Sequence, residues 1–147
     1  MANYRKILLA VDFSEFNSQT AARAQEVAGK FDSELGLIHV VEPAPLGDPA
    51  YGIAMPFDFD LTGQMVEAAR LRLAQMAESL RVPEDRQWVE VGSPKAEIVR
   101  VAAEQNIDLI VIGTHGRHGI GALLGSTASS VIHHAACDVL TVRLRDA

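Results

Sequence analysis

The stretch from Gly113 to Thr127 holds five of the chain's eleven glycines. It follows a short apolar run, Leu109 to Ile112, and leads into a helix-like run ending near Ala135. Glycine lets a backbone turn freely and lets a ligand approach closely. Ser126 and Thr127 stand where the helix would begin, and there unpaired N–H groups and the helix dipole favour an anion. Arg117 is the stretch's one charged side chain, set between His115 and His118. These features together read as a phosphate cradle; the plainer alternative is a flexible loop before a well-capped helix. The stretch contains no Gly-Lys-Ser/Thr, so it is not a Walker A loop. Its glycine spacing, and its place after a fourth strand, differ from a dinucleotide fingerprint.

Other groups carry less chemistry. His115 and His118 have no Cys and no nearby carboxylate, a poor zinc set; the expectation is no resident metal, with Mg carried by nucleotide phosphates instead. Ser14, Ser126 and Thr127 are hydroxyls near the cradle, but nothing in the sequence supplies them with a base, so no catalytic residue is assigned. His133 and His134 close a helix, where imidazolium suits the dipole. Cys137 reads as a buried small apolar residue.

Five apolar runs alternate with helical patterns. Lys6 to Val11 reads as a strand buried on both faces, and Ser14 or Ser18 would cap the helix after it, whose inward positions are Ala21, Ala24, Val27, Ala28 and Phe31. Glu34 to Val41 is a second strand. Residues 42–60 carry four of the six prolines together with Tyr51, Ile53, Met55, Phe57 and Phe59, too apolar for an idle loop. Thr62 would cap a helix to Leu80 with Met65, Ala69, Leu73, Met76 and Leu80 inward. Gln87 to Val91 is a half-buried strand near a sheet edge. Ser93-Pro94 starts a helix to Gln105. Leu109 to Ile112 is the fourth strand, Ser126 to His134 a helix with Ala128, Val131, Ile132 and Ala135 inward, and Val139 to Leu144 the fifth strand. This alternation gives a parallel sheet with helices on both faces. Ligands bind such sheets beyond the carboxyl ends of the strands, where strand order reverses. If strand 1 neighbours strand 4, Asp12 and Gly113 share that crevice.

At 147 residues the expectation is one domain. A net charge of −6 speaks against nucleic acid as the main partner. A single cysteine excludes a disulfide within the chain and suits a reducing compartment. With no signal-like start and no long apolar run, the sequence reads as cytoplasmic, without membrane partners.

Over its whole length the chain resembles the universal stress protein family. The residues that carry the resemblance run from Ile7 to Ser14, Leu37 to Val40, Asp108 to Gly116, Gly125 to Thr127 and Cys137 to Leu144. The resemblance implies a three-layer α/β/α sandwich with a five-stranded parallel sheet in the order 3-2-1-4-5, and a stress-response protein. Many members bind ATP through a pattern of Gly, two residues, Gly, nine residues, Gly and a small polar residue. Here that pattern falls on Gly113, Gly116 and Gly125-Ser126, with eight residues in the spacer. Carried over, Val11 and Asp12 end strand 1 on the ribose or adenine side. Val40 meets the adenine, Ile112 and Gly113 end strand 4, Gly113 and Gly116 give backbone room around the ribose and phosphates, and Gly125, Ser126 and Thr127 give donors at the helix start; Arg117 would add charge to the phosphates, a role the resemblance does not require. The resemblance also implies a homodimer paired through Val139 to Leu144. The reading is therefore an adenine-nucleotide-binding sensor or regulator. Two alternatives stay open: a dimeric interaction module that binds no nucleotide and engages an unknown protein, and a slow ATPase.

Overall fold

The computed structural model describes residues 3–43, 59–114 and 124–145, and at residues 59 and 60 the backbone alone. Within these, the elements are β1 (Lys6–Ala10), α1 (Asn17–Phe31), β2 (Glu34–Val41), α2 (Phe59–Leu80), β3 (Gln87–Val91), α3 (Pro94–Glu104), β4 (Leu109–Gly113), α4 (Ser126–His134) and β5 (Asp138–Val142). All strand pairings are parallel and the sheet order is β3-β2-β1-β4-β5. The chain winds outward from β1 to β3, then crosses back to β4. The reversal therefore falls between β1 and β4.

The central strand carries the expected two-faced burial. Ile7 and Leu9 join the core under α1 and α2, with Leu37, Leu73, Ala77 and Val111. Leu8 points the other way, into the core under α3 and α4, with Ile38, Ile98, Val101, Ile110 and Val131. Ile7, Leu8, Leu9, Leu37, Ile110 and Val111 are essentially without exposed surface. Burying a side chain of this size stabilises the fold by about 1.5–3 kcal/mol, so β1, β2 and β4 form the rigid base of the crevice. Asp108 joins β1 to β4 at the opposite end: its carboxylate accepts the amides of Arg5 and Lys6 at 3.0 and 2.9 Å.

Helix ends depart from the expected capping. The N-cap of α1 is Phe16, without a side-chain bond; Ser14 Oγ accepts the Phe16 amide at 3.3 Å, and Ser18 lies inside the helix. Ser93 caps α3 through its carbonyl, which accepts the amides of Ala96 and Glu97. Thr62 is interior to α2, which begins at Phe59. The C-termini of α1, α2 and α3 use left-handed residues other than glycine. Asp32, Arg81 and Asn106 have φ near +55°, and after each an amide reaches back to the last turn, Ser33 to Ala28, Val82 to Ala77 and Ile107 to Ala102.

Some apolar positions face outward. Met65 and Ile132, both expected inside, are exposed, as is Phe31, which meets Tyr4 edge to face. Cys137 is half-buried. The fifth strand spans Asp138–Val142, shorter at its end than expected, yet Leu144 beyond it is buried. No helix among the described residues is long and apolar enough to cross a membrane.

Candidate functional site

The crevice is built where β1 and β4 end side by side. Leu9 pairs with Val111, and Ala10 pairs with Ile38 of β2. One step further, Val11 lies level with His39 and Gly113, and Asp12 with Val40. The ladder lasts one residue past β1, with the Val11 amide donating to Ile38 O at 2.8 Å. The chain then turns sharply. Phe13 has φ +58°, in the left-handed region that bulky residues rarely occupy. Such a conformation costs about 1–2 kcal/mol and must be held by its surroundings.

Four contacts hold this turn. Asp12 Oδ1 accepts the Ser14 amide at 2.9 Å. His39 Nδ1 donates to the Val11 carbonyl at 2.7 Å. The Phe13 ring lies against the His39 ring at 4.3 Å, and the Arg72 guanidinium of α2 sits over the Phe13 ring at 4.3 Å, a cation–π contact. A carbonyl can only accept, so neutral His39 carries its proton on Nδ1. Burial pushes the His39 pKa below its ordinary value. The Val11 carbonyl and the Asp12 carboxylate oppose that shift, and Arg72 adds to it.

On the β4 side, Thr114 ties the crevice together. Its amide donates to Val142 O, its hydroxyl accepts the Leu144 amide, and its carbonyl accepts the Gly125 amide. The Gly-rich stretch thus leaves and returns at one point, at the end of β4. Gly125 is the N-cap of α4, with ordinary φ −65° and ψ 156°. Lacking a side chain, it leaves the first amides of α4 to other partners. Ser126 is exposed and Thr127 half-buried at that helix start.

The expected site residues are distributed as follows. Asp12, Gly113, Gly125, Ser126 and Thr127 gather at the carboxyl end of β1 and β4. Val11, Val40 and Ile112 are buried, Val11 towards α1 and α2, the other two towards α3 and α4. They form the floor, and their side chains are packed within the core. Gly116 and Arg117 lie outside the described residues, as do His115, His118 and the apolar segment around Tyr51 to Phe57. Gly113 has no positive φ, and a Cβ there would meet Leu144 Cδ1 at 2.8 Å and Thr20 Oγ1 at 3.1 Å. Its missing side chain makes room for protein. Sequence reasoning assigned no role to Phe13, His39 or Arg72. The signal available for His39 was a polar ring inside an otherwise apolar strand.

A shallow cleft of about 420 Å³ opens on the other side of the sheet from Val40 and Ile112, lined by Phe13, Ser14, Glu15, Asn17, Arg72 and Gln75 among others. Among the described residues no three or more His, Cys, Asp or Glu side chains cluster as a metal site.

A parallel sheet whose order reverses between β1 and β4, with an exposed carboxylate after β1 and a glycine-capped helix following β4, defines a doubly wound α/β protein. The model of the universal stress protein family matches residues 3–143, and the chain belongs to that family. It is 40% identical over 146 residues to universal stress protein A homolog 2 of Coxiella burnetii, covering 99% of each chain. It is similar in structure to the universal stress protein UspA from Lactobacillus plantarum (TM-score 0.77, 26% identity, 97% of this chain and 100% of that one). It is also similar to a universal stress protein solved in complex with cAMP (TM-score 0.63, 26% identity, 96% and 98%).

Proposed function

We propose that this stress-response protein binds an adenine nucleotide, ATP or a relative of it, in the crevice between β1 and β4, and acts as a homodimeric sensor or regulator in the cytoplasm. The observation that carries the reading is that Asp12 follows β1 while the Gly125-Ser126 helix start is tied, through the Gly125 amide, to Thr114 after β4, at the carboxyl ends of the two strands between which the order reverses. The carboxylate is suited to ribose hydroxyls or the adenine amino group. The first amides of α4, to which the Gly125 N-cap offers no side chain, and the hydroxyls of Ser126 and Thr127 are suited to phosphate oxygens. The structural neighbour solved with cAMP supports the adenine part of the reading. Mg would enter with the phosphates, which suits an ion that keeps most of its own waters.

A thermal-shift series tests this. A ligand that binds only the folded chain raises its stability by RT ln(1 + [L]/Kd). Millimolar ATP should raise the Tm of the wild-type chain by several degrees, and Asp12→Ala should abolish most of that rise while folding normally. An equal rise in both chains would remove Asp12 from the site.

A further inference from the structure

We propose that His39 is a positioning residue for this crevice: its imidazole holds the Val11 carbonyl and seats the Phe13 ring, and so fixes where the Asp12 carboxylate stands. The inference rests on the nucleotide reading above. Its basis is geometric. Asp12 sits between Val11, whose carbonyl takes the His39 Nδ1 proton at 2.7 Å, and Phe13, whose ring meets the same imidazole at 4.3 Å. Both neighbours of the ligand-facing carboxylate are therefore held by one side chain from β2. Phe13 is also the strained residue of the turn, with φ +58°, and strain of this kind persists only where the surroundings over-determine it. Arg72 closes the stack from α2, over the Phe13 ring.

The charges acting on the ring are the Asp12 carboxylate, from the β1–α1 turn, and the Arg72 guanidinium, from α2. The residue after β1 contributes the Val11 carbonyl, which the ring holds in either protonation state. Protonation at Nε2 leaves that hydrogen bond intact and adds a positive charge that draws the Asp12 carboxylate inward, away from a ligand. Nucleotide affinity should accordingly fall as the ring takes up its second proton.

The test is calorimetric titration of ATP into wild type, His39→Asn, His39→Leu and Arg72→Gln, each checked for cooperative melting. Asn retains an N–H donor near Nδ1; Leu retains bulk only. The expected result is roughly tenfold weaker binding for His39→Leu, recovery to within about threefold in His39→Asn, and a twofold to fivefold loss in Arg72→Gln. Between pH 7.5 and 5.5, wild type should lose affinity beyond the loss seen in His39→Asn. The ligand's own phosphate titration is common to both chains and cancels. If wild type binds and the folded variants match it, or if Asn is as weak as Leu and the two pH profiles coincide, the positioning role is overturned and the nucleotide site stands. If His39→Leu does not fold, Arg72→Gln and the pH comparison decide. If wild type takes up no ATP, the site reading itself fails, and this inference with it.

Discussion

At the scale of single residues, the crevice combines groups that differ in how visible they are in the sequence. Asp12 was legible because a charge immediately after an apolar strand has to sit at the strand's end. His39 was not legible as a functional group. In the run Glu34 to Val41 it occupies one position of an apolar strand, and no spacing along one chain reports that its Nδ1 reaches the carbonyl of Val11, 28 residues earlier. Its environment has a consequence for folding that is independent of any ligand. Burial holds the folded-state pKa below the ordinary value of 6.5. The unfolded chain therefore binds more protons in the interval between the two values, and stability rises with pH across it. That contribution is complete above about 6.5 and is lost as pH falls towards the folded-state pKa. Acid titration followed by circular dichroism should show wild type losing more stability than His39→Asn as pH drops from 7.5 to 5.5; equal slopes would mean that the ring does not titrate differently on folding.

At the scale of elements, periodicity located the strands and helices, while their exact ends depended on contacts that periodicity does not contain. Lys6 to Val11 reads as one strand, but β1 stops at Ala10 because the turn at Phe13 redirects the chain. Serines at helix starts suggested side-chain caps that the backbone supplies instead. Glycines illustrate the same limit. Within the described part of the Gly-rich stretch, neither Gly113 nor Gly125 has a positive φ. The surroundings decide what each described glycine does. Gly63 lies within α2 with nothing near its missing Cβ, so Gly63→Ala should stabilise the fold by about 0.5–1 kcal/mol through helix propensity. Gly36, in β2, has Trp88 Cζ3 at 2.7 Å and the Arg86 carbonyl at 3.3 Å in that direction. Gly36→Ala should cost about 1–3 kcal/mol, because the indole must shift within a packed sheet edge. Urea unfolding of the two variants measures both, and the same sign for both would contradict the packing argument.

At the scale of the whole molecule, the alternation of strands and helices was enough to imply a parallel sheet, and the family resemblance supplied the order that the structure has, β3-β2-β1-β4-β5. That order matters because it puts β1 beside β4, so that Asp12 and Gly113, about a hundred residues apart, stand at the carboxyl ends of adjacent strands. Among the described residues, β3 and β5 each pair with one strand only. Along β5, Val139, Leu140 and Thr141 are only half-buried, and an exposed edge strand invites pairing with another chain. The homodimer proposed through this strand should sediment at twice the 15.9 kDa of the chain. A charged residue placed at Thr141 should shift it towards that single mass, and a wild-type chain that sediments as a monomer at all concentrations would exclude the dimer.

The measurement that bears most directly on the central claim is equilibrium titration of ATP into the nucleotide-stripped chain, with Mg present. The crevice between β1 and β4 predicts saturable binding of one nucleotide per chain below millimolar concentration, lost on Asp12→Ala. No heat and no saturation up to millimolar ATP, with cAMP equally silent, would contradict the account.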